Sequence, residues 1–551
     1  MRKRIAALGA MLACALATEA QEGHHHELGE EEVGSVHFLT TCSTGMSEAA
    51  KAEFDASFNR AVALLHSFQY EDTQAAFEAI AKKNPSCAMA EWGVAMSHYH
   101  GLWRSGDVAA GRAAISKARQ IARTNAATSA HEKAYIDALA DVYAENKADY
   151  VTRGAAFEKK MGEVAAAYPE DTEAQIFHAL SLKVSASPSD RTFSNERKCG
   201  EILGPIFKEQ PHHPGIAHYI IHCYDNPVLA PQGVNAARLY AKIAPVSAHA
   251  NHMPSHIFTR VGSWQESIQS NIRSADIATA DEAKSKNGEA RDQRLHAMDY
   301  LEYAYLQSGQ VAKAKAVLDE LRSLEEVPGL TLTGNYATGA IPARYAIELK
   351  NWEMASKLEP MGTGVPWARA LVWEAIGEGS VRTGKLERAA EAEKKLTELR
   401  DEALEKSEYW SKQIEVERRE LNALILERRG QKEESLAAMR SAADLEESMD
   451  KDAVTPGPVT PAREMLAGML MAEQRDREAL AEYEVVLKVA PKRFNTLYDA
   501  AVAANRSGND AAAIEYFRDL TVVAASDERA DVMTAKAKLA EVAKAAKPAK
   551  N

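Results

Sequence analysis

The sequence predicts an all-α solenoid of stacked helical pairs with essentially no sheet, and three observations carry that prediction. Apolar residues recur at helical spacing, with Gly- or Pro-containing breaks roughly every dozen to twenty residues. No apolar alternation of period two runs for a useful length. The composition, 46% hydrophobic but only 7% aromatic and rich in Ala, Glu, Lys and Leu, favours helix over sheet. At 551 residues the chain exceeds one ordinary core, which leaves several domains or a repeat array.

The start of the chain reads as an export signal over residues 1–20. Arg2, Lys3 and Arg4 precede an apolar run from Ile5 to Leu16 and a small-residue cleavage site at Ala15–Ala17, with cutting after Ala20 as the alternative. Lipid attachment at Cys14 is the lesser reading, because Met11-Leu12-Ala13 is a poor lipoprotein box. Residues 21–35, which include His24-His25-His26, are polar and of low complexity and are expected to be a disordered leader. No later stretch approaches the roughly 18 apolar residues of a membrane span. The mature chain is therefore expected to be periplasmic or secreted.

Order is expected from Val36 and helices from about Ser47, with N-terminal helical repeats over residues 36–250. Phe77 and Pro85 close one hairpin, and Met161 with Tyr168-Pro169 closes another. A C-terminal array over residues 251–530 fits the tetratricopeptide frame better. Leu301, Tyr305, Gly309, Ala314 and Leu318 take its positions, as do Ala479, Tyr483 and Pro491, then Gly508, Ala513, Phe517 and Leu520, at a spacing of about 34 residues. Small residues at the crossing let paired helices approach, and the units are stable only through their neighbours in a superhelix. Residues 531–551 form a Lys/Ala-rich tail.

Without the signal, Cys42, Cys87, Cys199 and Cys223 remain. Two disulfides in an oxidising compartment would have three possible connectivities, and four buried thiols are the alternative. The favoured pairs are Cys42–Cys87, stapling the leading segment to the first repeat, and Cys199–Cys223, between consecutive helices. The formal charge of -13 is spread over mixed Glu/Lys faces, so neither nucleic acid nor anionic lipid is expected as a partner.

The stretches FNRAVALLHSFQYEDTQAAFEAIAKKNPSCAMAEWGVAMS, HPGIAHYIIHCYDNP, HANHMPSHIFTRVGSWQESIQSN, LHAMDYLEYAYLQSGQ, VTPGPVTPARE and PKRFNTLYDAA resemble a family of exported bacterial tetratricopeptide-repeat proteins. The resemblance covers nearly the whole mature chain, Cys42 and Cys87 included. It implies fold and export, and it brings no catalytic residue to this chain. Cys199 and Cys223 stand apart from the family pattern, which favours pairing them with each other.

Chemistry concentrates between His212 and Trp264, where seven of the 17 histidines lie. His218, His222 and Asp225 share one helix face, and His252 and His256 are again four apart. Two such helices side by side would gather four imidazoles and a carboxylate, a candidate shell for zinc, iron or copper. His249 and Arg260 flank this set. The competing reading is a hydrogen-bonded core of neutral histidines. No HExxH motif, phosphate loop or G-x-S-x-G elbow is present. His296, Asp299 and Glu302 make a further polar stripe that would complete or orient a metal shell, or else face solvent. Trp103 is a candidate groove residue, whereas His66, His98, His100 and His178 are expected to pack or cap.

Pro254-Ser255-His256, Pro342-Ala343-Arg344 and Pro461-Ala462-Arg463 repeat a Pro-small-basic pattern. Each proline is expected to open a helix. Basic residues in a first turn oppose the helix dipole, so Arg344 and Arg463 would face an anion or acidic substrate, or else pair with nearby Glu. Two functions follow. One is an exported repeat protein whose inner surface takes a protein or peptide partner, with a candidate His-rich metal site. The other is a metal-dependent enzyme that holds an acidic substrate through its arginines.

Overall fold

The computed structural model describes residues 30–145, 149–284, 288–325, 330–359, 361 and 364–545. Helix follows helix from Glu30 to Ala545 as an all-α, tetratricopeptide-type solenoid, and among the described residues the sole β feature is an isolated bridge between His100 and Ser105. Consecutive helices pack as hairpins: Glu48–His66 on Tyr70–Lys83, Ala88–Ser97 on Val108–Thr124, Trp264–Lys284 on Gly288–Gln307, and Phe494–Arg506 on Asp510–Val523. Small residues sit at the crossings, as the repeat requires. A Cβ at Gly93 would collide with the Phe77 ring at 2.3 Å, so glycine there sets how closely two helices approach.

The array closes on itself. Trp264 Nε1 donates to the Lys492 carbonyl at 3.0 Å, and Ala525 N donates to the Ser308 carbonyl at 2.9 Å. Between these contacts Arg493, fully buried, pairs with Glu348 at 2.6 Å and Glu464 at 2.7 Å. The last repeats therefore dock against the helix Gly288–Gln307 rather than extending away from it. Closure carries the loop from Asp450 to Thr460 back toward the N-terminal half, where Asp450 N donates to the Pro188 carbonyl at 3.2 Å.

Several expectations shift. Order reaches back into the stretch read as leader: Glu30–Val33 is helical, Val33 is buried, and Ser35 N donates to the His212 carbonyl at 3.1 Å. The export signal and His24–His26 lie outside the described residues. The boundary placed at 250/251 falls inside the helix Ala248–His252. In the tail, Val532 and Ala535 are buried against Phe517 and Leu520. Pro342 does not open a helix but lies inside Leu332–Glu348. The helix starts earlier because Asp292 accepts Thr331 N at 2.9 Å and Gly334 N at 2.8 Å, capping it from another repeat.

Both favoured cysteine pairs are at bonding distance, Cys42 with Cys87 and Cys199 with Cys223. The first closes 45 residues and ties the strap bearing Phe38, whose ring lies 5.5 Å from those of Phe58 and Trp92, to the first repeat. The chain-entropy argument values a loop of that length at about 4 kcal/mol. A Cys42→Ser/Cys87→Ser chain should lose about that much stability in its N-terminal half, seen as faster hydrogen exchange in Glu48–His66 and Ala88–Ser97. Unchanged protection there would mean that apolar packing alone holds the strap.

Candidate metal centre

The helix Pro214–Tyr224 is buried along nearly its whole length and sets His218 and His222 one turn apart on one side. The neighbouring chain forms Ala248–His252, passes through Met253 in helical conformation, and continues as Pro254–Arg260. Pro254 cannot donate a backbone bond, which separates the two short helices; His249 and His252 lie three apart on the first and His256 on the second. His296 enters from the helix Gly288–Gln307.

These side chains form two clusters. In the first, His218 Nε2 lies 3.0 Å from His249 Nε2 and 3.0 Å from His222 Nε2. In the second, His252 Nε2 lies 2.9 Å from His256 Nε2, with the His296 ring tilted against that of His252, centres 4.2 Å apart. In each cluster one ligand atom per histidine lies within 4.8 Å of the others. The rings of His222 and His256, 6.3 Å apart, bring the clusters side by side. All six are nearly inaccessible to solvent.

Hydrogen bonding decides where the protons are. His218 Nδ1 faces the His66 carbonyl at 2.6 Å and can only donate, so its Nε2 carries a lone pair. Asn271 gives its Nδ2 to the Ser267 carbonyl at 2.9 Å, so its Oδ1 faces His252 Nδ1 at 2.7 Å and that nitrogen also donates. Asp225 Oδ2 accepts from His256 Nδ1 at 2.9 Å. His252 and His256 therefore point two lone pairs at each other across 2.9 Å, and no proton is available to bridge them while both rings are neutral. Both nitrogens of His296 lack a hydrogen-bond partner. Burial, reinforced by the neighbouring imidazoles, pushes the pKa of His218, His222, His249, His252 and His296 well below the ordinary value of 6.5. His256 is lowered too, by burial against the opposing pull of Asp225. Converging lone pairs of neutral imidazoles are what a cation would satisfy.

A third group pairs its imidazoles with a carboxylate and leaves only His213 Nδ1 without a partner. Glu173 accepts from His66 Nε2 at 3.0 Å and from His213 Nε2 at 2.8 Å, and His66 Nδ1 takes the Tyr219 hydroxyl at 2.8 Å. The carboxylate absorbs both imidazole N–H groups, so no lone pairs converge there.

Asp225, expected among the ligands, instead supports one. Besides His256 it accepts from Arg260 Nε at 2.9 Å and Lys451 Nζ at 3.0 Å, so it orients a ring and has no oxygen free for a metal. Burial alone would raise its pKa, but Lys451 and Arg260 outweigh burial and hold it well below the carboxylate range. His249 and His296, placed around the set in the sequence reading, belong within it. Phe68 at 4.4 Å from the His218 ring and Trp103 at 6.0 Å from that of His249 cover the first cluster. His249 also borders a cavity of about 430 Å³ whose polar lining includes Glu71, Asp72, Asp281, Lys284 and Glu289.

The arginines do not form an anion-binding rim. Arg344 is fully buried, bonded to Asp299 and 3.5 Å from Glu302. Asp299 and Glu302 are accordingly interior groups, neither a solvated stripe nor part of the histidine clusters. Arg463 bonds Glu447 and also Glu482, the latter at 2.6 Å. Buried or half-buried guanidinium groups need a carboxylate, and the chain supplies its own.

No family model matches the chain, and no curated protein matches it. Among solved structures it is similar to the human IFIT1 dimer with m7Gppp-AAAA, at 12% identity and a TM-score of 0.36 over 80% of this chain and 90% of that one. It is also similar to yeast Tom70, at 12% identity and a TM-score of 0.29 over 91% and 92%. Likeness at this level says nothing of ligand or partner.

The lowered imidazole values fix a sign for acid sensitivity. Below about pH 6.5 the unfolded chain takes up protons that the folded core refuses, so stability is complete above that pH and falls on acidification, by at most about 1.4 kcal/mol per histidine per pH unit. Buried carboxyls held above their ordinary range act with the opposite sign over this interval, so between pH 7.5 and 5.5 the urea midpoint of the metal-free protein should fall more, or rise less, than that of a folded His252→Gln/His256→Gln chain. Equal pH dependence of the two chains would show these rings to be protonated in the fold.

Proposed function

We propose that this chain is an exported helical-repeat metalloprotein that holds two transition-metal ions in adjacent three-histidine sites, His218–His222–His249 and His252–His256–His296. The observation that carries this reading is the pair of Nε2 lone pairs on His252 and His256, fixed by Asn271 and Asp225 and facing each other across 2.9 Å. Tetrahedral bonds of 2.0–2.1 Å would set ligand nitrogens about 3.3 Å apart, so the contacts of 2.9 and 3.0 Å need to open only slightly. With three neutral imidazoles and no carboxylate in either set, the donors suit zinc or copper better than magnesium, calcium or manganese. Three protein ligands leave one position for water or substrate, where the ion would act as a Lewis acid.

Export is supported by the charged and apolar start of the chain and by two cysteine pairs, which an oxidising compartment maintains. Among the described residues no helix is long and apolar enough to cross a membrane. An acidic substrate held by Arg344 and Arg463 is not carried forward, since both are occupied by carboxylates.

The test is metal analysis of the full mature chain with His24, His25 and His26 changed to serine, so that the leader contributes no count. Two equivalents of zinc or copper are expected per chain. One should remain in His218→Gln/His222→Gln and one in His252→Gln/His256→Gln, with circular dichroism confirming the fold. A wild-type chain that takes up neither metal on reconstitution would sink the proposal.

A further inference from the structure

A second site lies on the other side of the Asp450–Thr460 loop and does not depend on the metal reading. There the helices Pro366–Arg382 and Glu408–Arg428 border a cavity of about 180 Å³. One wall is aromatic: the rings of Trp367 and Trp410 lie 5.3 Å apart and 11° from parallel, and Tyr336 stands 5.7 Å from Trp410. Glu374, Glu417 and Glu420 also line this cavity. Glu417 and Glu420 are three residues apart on one helix, and Glu374 faces them from the other.

These carboxyl groups are unlike the others in the interior. Glu420 is only 2% exposed and its Oε1 has no hydrogen-bond partner, nor has Glu417 Oε2. Among the described residues no lysine or arginine forms an ion pair with Glu374, Glu417 or Glu420. The four cations on the same walls pair elsewhere: Arg260 and Lys451 with Asp225, Arg463 with Glu447 and Glu482, and Arg191 with Asp450 at 3.9 Å. Trp367 Nε1, on a side chain 8% exposed, likewise finds no acceptor. Packing explains none of this, since three buried carboxyl groups without a cation cost stability whether they ionise or stay protonated with unpaired oxygens. Burial first, then the neighbouring Glu378 and Glu446, pushes Glu374 up to about 8, against a hydrogen bond with Glu420 that lowers it. Burial first, then Glu374, pushes Glu417 and Glu420 well above the ordinary range. A positively charged occupant would replace the protons these groups hold.

We infer that this cavity binds an organic cation, an alkylammonium or guanidinium group, with Trp367, Trp410 and Tyr336 against its apolar surface and Glu374, Glu417 and Glu420 opposing its charge. Aromatic faces and carboxylates together recognise such cations, because the ring quadrupole attracts the charge while the apolar substituents are desolvated. The unpartnered Trp367 N–H calls for an acceptor atom on the occupant beside the cation.

The experiment is calorimetric titration of the full mature chain, with tryptophan fluorescence read in parallel. Choline probes for a quaternary ammonium, agmatine for a guanidinium, and the uncharged carbon isostere of choline serves as control. At least one cation should bind saturably, one per chain, and quench fluorescence, roughly tenfold or more tighter than the isostere. Glu420→Gln should weaken that binding roughly tenfold, the worth of a charge-assisted contact, with the fold unchanged by circular dichroism. Glu417→Gln, at a less buried position, should do the same in milder form. A His218→Gln/His222→Gln chain, which keeps His256 and its contacts to the loop, should bind the cation as wild type does, so loss of a metal site and loss of this one are told apart. Failure of both cations to bind, equal binding of the isostere, or unchanged binding in folded Glu420→Gln would each overturn the inference and leave a proton-sharing carboxyl cluster of purely structural character.

Discussion

The arrangement turns on one buried carboxylate. Asp225 follows directly on the helix that carries His218 and His222, and it receives hydrogen bonds from His256, Arg260 and Lys451. An aspartate held this far from water is tolerable only because two cations and an imidazole N–H surround it. In return it fixes three things: the tautomer of His256, the end of the helix Pro254–Arg260, and the position of the loop that brings Lys451 back from the far repeats. Arg260 extends the same node to Asp450 at 3.1 Å. Removing any partner would leave a charge unpaired in the interior, so the node acts as a unit.

That node exists only because the array closes. In an open superhelix, residues 225 and 451 would lie many repeats apart, and no tetratricopeptide rule brings them together. The buried Arg493, bridging Glu348 and Glu464, is the counterpart of Asp225 with reversed sign: one cation inside a shell of carboxylates. Ion pairs of this kind contribute little net stability against well-packed apolar residues, but their geometry is exacting. Two such nodes, one holding the loop and one holding the docked repeats, give the ring one closed register where helix packing alone would allow sliding.

How much of this was legible beforehand differs from residue to residue. Helix spacing suffices to pair His218 with His222 and His252 with His256, because i and i+4 side chains share a face whatever the tertiary context. The same rule misplaces His249, which shares the helix Ala248–His252 with His252 yet meets His218 while His252 meets His256. Asp225 sits at a ligand's spacing, yet its partners Arg260 and Lys451 come from outside the local helix, and Lys451 comes from a distance no sequence pattern spans. Arg344 and Asp299 illustrate the same limit. Their residue types suggested a rim and a solvated stripe, whereas cross-repeat packing turned both inward against each other. Pro342 lies mid-helix because the cap comes from Asp292 in another repeat, so a local start signal was overridden by a distant carboxylate.

The histidine centre and the aromatic cavity share more than proximity. The loop from Asp450 to Thr460 forms a wall of the cavity, and its carbonyls at Ala453 and Thr455 accept from the Tyr300 hydroxyl at 3.2 and 2.9 Å. Tyr300 in turn stacks on His256, with ring centres 4.8 Å apart, and meets His252 edge-on at the same distance. Lys451, on the same loop, reaches Asp225 and through it His256. Two short chains of contact, one aromatic and one ionic, therefore run from the cavity wall to the same pair of imidazoles. A loop fastened at both points cannot shift toward an occupant of the cavity without disturbing the bonds that orient His256. Coupling of this kind needs no long pathway, only a rigid segment whose position two sites both constrain.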